Sequence, residues 1–417
     1  MNYNQKMDLV QKTKLFVGID IAKHKHYVSL RDQQGKELEK PRVITNTKTG
    51  FSDFIKMLEP WDKNEILIGM EPTGHYWKCL AHFCKQQGYK PVLVNPFHVH
   101  RTKEVLDNTK RKTDSKDCGL ISQMVREGKF LETLLLTGIY ADLRELTKTR
   151  YIITQELTRI KLRITAICDE FLPEYSDCFS NITGKTSLAL LSKFDLVTLK
   201  SKTLIQEKVE LIIKKSRGKF NAKKALHMAN LLSESIGVTE GITAAGWRLK
   251  DLIEQTECYK SQRDALDEKL EKKVHQTEES EIMLSMHGIG IITAAEFLGQ
   301  TGPLQNFSNA KKLEKLAGLD LTENSSGKIA GKKSFSKRGR DFLRHTLYKI
   351  TMVAIAHDNE LKKLYDYKIN TLKKIKMVAV GSMMIKVLRI IFGMVKNKSE
   401  YDGKRVIIPS AKTLVKV

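Results

Sequence analysis

The sequence predicts an α/β N-terminal domain followed by a long, mainly helical remainder. Over the first 130 residues, short apolar runs at 15–20, 65–70 and 90–94 alternate with helix-length stretches. Two long charged stretches, Ala141–Phe171 and Gly246–Glu279, then carry apolar residues at spacings of three and four. Beyond residue 280 the pattern stays helical and turns strongly basic. A chain of 417 residues is long enough for two or three domains with cores of their own. The expected division is a catalytic domain over 1–130, a helical or coiled-coil spacer and dimerisation region over 131–280, a C-terminal domain over 281–400, and a tail over 401–417.

Composition narrows the function. Hydrophobic content of 41% with 29% charged residues fits a folded chain rather than a disordered one. There are 72 Lys and Arg against 48 Asp and Glu, a net charge of +24. Self-repulsion of that size is relieved when a polyanion neutralises it, and nucleic acid is the usual polyanion. Solubility alone needs far less charge. Six cysteines without a CxxC pair indicate reduced thiols in a cytoplasmic protein, not a disulfide framework, and the expected location is the prokaryotic cytoplasm at the nucleoid. The opening MNYNQKMDLVQKTK has no signal-peptide apolar core. The apolar stretch Met377–Met394 is interrupted by Lys386 and Arg389, so a buried helix is expected there and no membrane partner.

In chain order, residues 15–30 (LFVGIDIAKHKHYVSL) read as a strand region, with further strands through His26–Arg31 and Pro41–Thr45 and Gln34-Gly35 as the turn between them. Residues 51–59 read as a helix. Glu65–Met70 is an apolar strand ending in Glu71-Pro72-Thr73-Gly74, where open α/β sheets carry site residues. A helix over His75–Gln87 and a strand over Lys90–Val94 follow, then Asn95-Pro96 and a basic, irregular connection from Phe97 to Lys112. The next helix opens on Lys112-Thr-Asp-Ser-Lys-Asp117, before an apolar run from Leu120. This order matches a ribonuclease-H-like mixed sheet with helices, which would bring Asp20, Glu71, Asp114 and Asp117 to one edge.

Those four carboxylates are the candidate chemistry. On a helix Asp114 and Asp117 would share a face, with Lys110, Arg111, Lys112 and Lys116 around them, which suits a site where divalent metal and phosphate meet. A solvated helix start with Asp114 as N-cap explains the pair equally well. Asp20 lies inside an apolar strand and needs a partner there, either a metal or backbone amides. A cage of four carboxylates suits Mg²⁺ or Mn²⁺. The His24/His26 and His98/His100 pairs lack a third ligand at zinc spacing and read as polar surface or phosphate contacts.

In the spacer, Leu143, Leu146, Ile152, Leu157 and Ile160 suggest one apolar stripe, and 176–240 reads as further helix without a chemical motif. Near 283–299, Gly288-Ile-Gly290 resembles the turn of a helix-hairpin-helix, whose backbone amides grip phosphate; an ordinary tight helix–helix turn reads the same. Residues 301–417 hold 25 Lys and Arg against 9 Asp and Glu, a local excess of +16. Within them a Ser325-Ser326-Gly327 turn is followed by Lys332, Lys333, Lys337, Arg338, Arg340 and Arg344. An accessible serine beside cations could attack a DNA phosphate, and a polar loop gripping phosphate would look alike.

GID at 18–20, EPTG at 71–74, VNP at 94–96 and KTDSKD at 112–117 resemble the RuvC-like DEDD domain of one insertion-sequence transposase family, with Piv-type DNA invertases as relatives. The later GIG, AGL, SSG and SKRG elements resemble that family's C-terminal domain, so the likeness spans nearly the whole chain. It implies a recombinase that excises and inserts its element on donor and target DNA. It also implies a noncoding bridge RNA as guide and a homo-oligomer, dimer or tetramer. Asp20, Glu71, Asp114 and Asp117 would bind the metal. Ser326, favoured over Ser325 by the register of the match, would form a covalent 5′-phosphoserine link to DNA. The middle segment is longer than the family minimum. The alternative is a structure-selective nuclease of the Holliday-junction resolvase type without a covalent intermediate. An actin-like kinase or ATPase would need further glycine-rich phosphate loops, and none occurs between residues 130 and 280.

Overall fold

A computed structural model describes residues 3–72, 74–106, 114–322 and 334–406, and side chains for all of these except 104–106, 114 and 115. Contacts divide the chain into two units, Met1–Leu135 and Leu136–Val417.

The first unit contains α1 (Tyr3–Lys12), β1 (Leu15–Asp20), β2 (Lys25–Asp32), β3 (Arg42–Thr45), α2 (Lys48–Leu58), β4 (Ile66–Met70), α3 (Trp77–Gln86), β5 (Lys90–Leu93), α4 (Pro96–Leu106), α5 (Asp114–Arg126) and β6 (Leu131–Glu132). The sheet order is β3-β2-β1-β4-β5-β6. β1 pairs antiparallel with β2 and parallel with β4, β4 is parallel to β5, and β6 closes the edge antiparallel. This is the mixed sheet expected, consistent with a ribonuclease-H-like fold. β1 and β4 are apolar at nearly every position because both faces are covered. Val17, Ile19, Ile68 and Met70 enter the core shared with α2 and α3, whereas Phe16 and Leu67 enter the opposite core with Ile121 and Val125 of α5. The turn after β2 forms at Gly35, whose φ of +95° favours glycine.

One expectation fails here. The connection from Phe97, read as irregular, is helical through Leu106. Asn95 Oδ1 accepts from the Phe97 amide at 3.0 Å and Pro96 takes the first helical position, a common helix start. Among the described side chains of this helix Val99 is the buried apolar one, and the segment shows too little periodicity to be read from sequence. The rest of that connection, 107–112, lies outside the described residues.

The second unit contains α6 (Gly138–Phe171), α7 (Tyr175–Cys178), α8 (Lys185–Lys193), α9 (Leu196–Leu199), α10 (Ile205–Ser216), α11 (Ala222–Ser233), α12 (Ile242–Val274), α13 (Ser280–Leu284), α14 (Ile291–Thr301), α15 (Ala310–Ala317), the short strands β7 (Leu321–Thr322) and β8 (Ser334–Phe335), α16 (Asp341–His357), α17 (Asn359–Asp366) and α18 (Lys376–Lys396). α6 and α12, 34 and 33 residues long, run antiparallel: Lys273 bonds Asp142 at 2.5 Å, and Arg150 reaches Asp267 from the next turns. The stripe differs from expectation in one residue. Ile152 is 50% exposed, and Ile153 takes its place beside Leu143, Leu157 and Ile160.

Each end of this helix pair enters a different apolar core. Ile160, Ile164, Ile167, Leu249 and Leu252 pack with α8 to α11, while Leu143, Leu270 and Val274 pack with α13 to α18. α18 is long and apolar enough to cross a membrane, but its Met383, Val387, Leu388 and Ile391 lie in the second of these cores. Arg389, which interrupts its apolar run, is bound by Glu314 at 2.6 Å.

Candidate functional site

The carboxylates of the first unit are positioned by the way α5 lies on the sheet. Gly18 and Gly69 are paired across β1 and β4. A Cβ on Gly18 would collide with the Cys118 carbonyl and the Ser122 amide, and one on Gly69 with the Val125 side chain. Glycine at both positions is therefore what lets α5 approach, with Val125 over β4 and Cys118 over β1.

The next register positions are occupied by the acids. Ile19 pairs with Met70, so Asp20 and Glu71 follow at matching places at the carboxyl ends of adjacent parallel strands, and the Glu71 amide bonds the Ile19 carbonyl at 3.5 Å. Side chains alternate along a strand, so Asp20 faces the same side as Phe16 and Gly18, toward α5. Both acids are half-buried. Asp117 precedes Cys118 on α5 and is 9% exposed. The Cys118 thiol is pushed up to about 12, first by burial, with the negative charges of Asp20 and Glu37 adding to the effect, which places Asp20 electrostatically beside this turn of α5.

Asp20, Glu71 and Asp117 are thus brought to one end of one sheet face. The Asp114 side chain, one turn earlier on α5, lies outside the described residues. Carboxylate oxygens at strand ends suit a hard divalent cation in donor type. Among the described residues no group of three His, Cys, Asp or Glu is gathered closely enough to hold a metal. Asp117 is instead held by Lys103 of α4, Nζ to Oδ2 at 2.5 Å. Sequence reading missed Lys103 because its segment was not recognised as a helix; the Asn95-Pro96 start was the available signal.

The basic residues near this site divide. Lys116 is exposed. Lys110, Arg111 and Lys112 lie outside the described residues. His26 is a core residue, buried, accepting the Ala22 amide at Nδ1 and stacked on Phe51 at 6.1 Å, and burial lowers its pKa. His98 and His100 are exposed on a helix, where positions i and i+2 do not share a face.

In the second unit, Ser325, Ser326, Lys332 and Lys333 lie outside the described residues, but the segments on either side, ending at 322 and resuming at 334, are described. β7 and β8 pair Leu321 with Phe335 and Thr322 with Ser334, making a short antiparallel ribbon whose ends carry the 323–333 connection. The ribbon is fixed to α15 and α16 where two glycines cross. Gly318, at φ +67°, ends α15, and a Cβ on Gly339 would strike the Gly318 amide. The Lys337 amide bonds the Gly318 carbonyl at 3.1 Å and the Arg340 amide bonds the Leu316 carbonyl at 2.7 Å. The AGL and SKRG motifs therefore build the base of the β7–β8 ribbon.

The cations here also divide. Lys337 and Arg338 are exposed. Arg340 donates to the Gln300 carbonyl, its basicity lowered by burial and by neighbouring Arg144, and Arg344 donates to the Ala317 carbonyl at 3.0 Å. Gly288, at φ +96°, sits where a Cβ would strike the Ile350 carbonyl and the Ala354 amide of α16, so close packing accounts for this glycine. Gly290 caps α14, its amide bonded to Thr293 Oγ1 at 3.0 Å, and has open space around it.

Two transposase family models match the chain, one of the DEDD, IS110 type over residues 17–173 and one described as the IS116/IS110/IS902 family over 280–366. The uncharacterized 42 kDa protein of insertion element IS900 from Mycobacterium paratuberculosis is 24% identical over 391 residues, covering 93% of this chain and 97% of its own. The uncharacterized 43.6 kDa protein of insertion element IS110 from Streptomyces coelicolor is 21% identical over 393 residues, covering 94% and 96%. The pilin gene-inverting protein of Moraxella bovis is 27% identical over 116 residues, 27% of this chain and 34% of that protein. The first model spans the sheet acids and α5, the second the glycine crossing beneath β7 and β8, and with both models matched in order the chain belongs to the IS116/IS110/IS902 transposase family, enzymes of DNA transposition and recombination.

Proposed function

We propose that the chain is a divalent-metal-dependent, RNA-guided DNA recombinase that cuts through a serine nucleophile. The observation that carries the metal half is the matched register of Asp20 and Glu71 at adjacent parallel strand ends, with Asp117 on the helix packed over them. Asp20, Glu71, Asp114 and Asp117 would hold Mg²⁺ or Mn²⁺, which when bound supplies charge stabilisation at the phosphate. Lys103 keeps the Asp117 carboxylate oriented.

In the other half, the exposed Lys337 and Arg338 attract the DNA backbone next to the loop. Ser326 Oγ attacks phosphorus, an Oγ–P bond forms and the P–O3′ bond breaks. The serine proton ends on the departing 3′ oxygen. Attack by a second strand's 3′ hydroxyl reverses these changes and frees the serine. The charge of +24 supports binding both DNA strands and a noncoding guide RNA. The enzyme works as a dimer or tetramer in the cytoplasm at the nucleoid, its labour divided over 1–130, 131–280, 281–400 and 401–417.

Trapping on a nicked suicide DNA substrate tests the nucleophile. Wild type and Ser325→Ala are expected to give a covalent protein–DNA adduct and Ser326→Ala none; an adduct from Ser326→Ala refutes the serine assignment. Asp114→Asn is expected to abolish strand exchange while sparing RNA binding. A defined noncoding RNA is expected to co-purify with the full chain, and its absence overturns guidance. Site-specific inversion is a second reading, carried by the 116-residue likeness to the Moraxella pilin gene-inverting protein.

A further inference from the structure

The helices inserted between α6 and α12 fall between the two family matches, which end at 173 and resume at 280. They contain a cleft of about 480 Å³ between the start of α8 and the loop after α10. Lys185, Lys215, Arg217 and Lys219 line it, and no carboxylate does. All four are exposed, and among the described residues none makes an ion pair. Hydrogen bonds tie the wall together: Thr186 Oγ1 donates to the Lys215 carbonyl at 3.0 Å, and the Phe220 amide donates to Ser216 Oγ at 3.3 Å.

Four like charges around one cleft repel each other, and among the described residues no ion pair offsets them. A polyanion does. Phe220 at the cleft is not a free stacking platform, because the Phe179 ring meets it edge-on at 6.1 Å and Lys224 Nζ lies 4.8 Å from its centroid. The cleft thus offers charge for phosphate and no ring for a base.

We propose that this cleft is an additional phosphodiester-binding surface, gripping nucleic-acid backbone without reading sequence. The choice of polyanion rests on the nucleic-acid enzyme proposed above; the cation cluster does not. RNA and DNA backbones share the chemistry, so both are probed. Affinities of the full chain for a fluorescent single-stranded RNA and for duplex DNA are measured against salt. The site variant is Lys185→Gln, Lys215→Gln and Lys219→Gln. A control removes equal charge from exposed positions of the long helices: Lys161→Gln, Lys250→Gln and Lys269→Gln.

For the backbone that uses the cleft, the log–log salt slope of the site variant is expected to shrink by about 2 for single strands or nearly 3 for duplex. The control should shift it less than half as much. An unchanged slope with both probes, or equal loss in site variant and control, overturns the proposal. Failure of the enzyme reading is separable: strand exchange by wild type and Asp20→Asn tests that reading, whereas the binding slopes test the cleft.

Discussion

Gly18 shows how one absent side chain can decide a site. Its missing Cβ leaves room for the α5 backbone at Cys118 and Ser122, which sets Asp117 near the strand bearing Asp20. Gly18→Ala cannot be absorbed by a flexible neighbour, because both clashing groups are backbone. A loss of about 1–3 kcal/mol is expected, read as a lower thermal midpoint, and an unchanged midpoint would show that α5 does not rest there. The cysteines give a second test at this scale. Cys84, Cys118, Cys168 and Cys178 are buried with thiols pushed up to about 12, while Cys79 and Cys258 are exposed. Two fast-reacting thiols are expected in the native chain and six after denaturation. Because the folded values exceed the ordinary 9.0, the unfolded chain binds fewer protons above that pH. Stability should therefore fall as pH rises from about 9 toward about 12, as a denaturant titration series would register.

Among the elements, the antiparallel α6–α12 pair joins two apolar cores, and its apolar seam outweighs its charges. Ile164 is fully buried, so Ile164→Ala should cost about 2–5 kcal/mol. Arg150 and Asp267 are 20% and 32% exposed, and breaking their ion pair by Arg150→Ala should cost about 1 kcal/mol or less. Denaturant midpoints of the two variants compare these directly, and the reverse order would mean that polar contacts hold the helices. The periodicity of three and four marked this seam in the sequence, and Ile153 replaced Ile152 because neighbouring apolar residues on a helix differ by only 100° in direction. The α4 helix escaped notice for the opposite reason, since its polar and basic residues hide the period while its start is set by Asn95-Pro96.

For the whole molecule, charge is the dominant feature. A net +24, with +16 of it in residues 301–417, should make nucleic-acid binding strongly salt-sensitive, tighter at low ionic strength for any sequence. Binding isotherms at several salt concentrations check this, and a flat response would detach the charge from nucleic acid. Basic composition and partner class were legible together. Which cations face outward was not: Arg340 and Arg344 stand in the same basic run as Lys337 and Arg338 but bond carbonyls inside the second unit.

Strand order, helical periods, charge and the spacing of Asp20, Glu71, Asp114 and Asp117 are all local or additive properties, so they can be read along the chain. The structure bears out the mixed sheet and the long helices, and the family matches bear out the transposase. Contacts between residues far apart in sequence depend on packing and appear only after folding. Among these are the placing of α5 by Gly18 and Gly69, the hold of Lys103 on Asp117, and the crossing of Gly318 and Gly339 beside the β7–β8 ribbon. Glycine and lysine leave no periodic signal of such roles. Their meaning comes from the atom opposite, and only the tertiary structure brings that atom near.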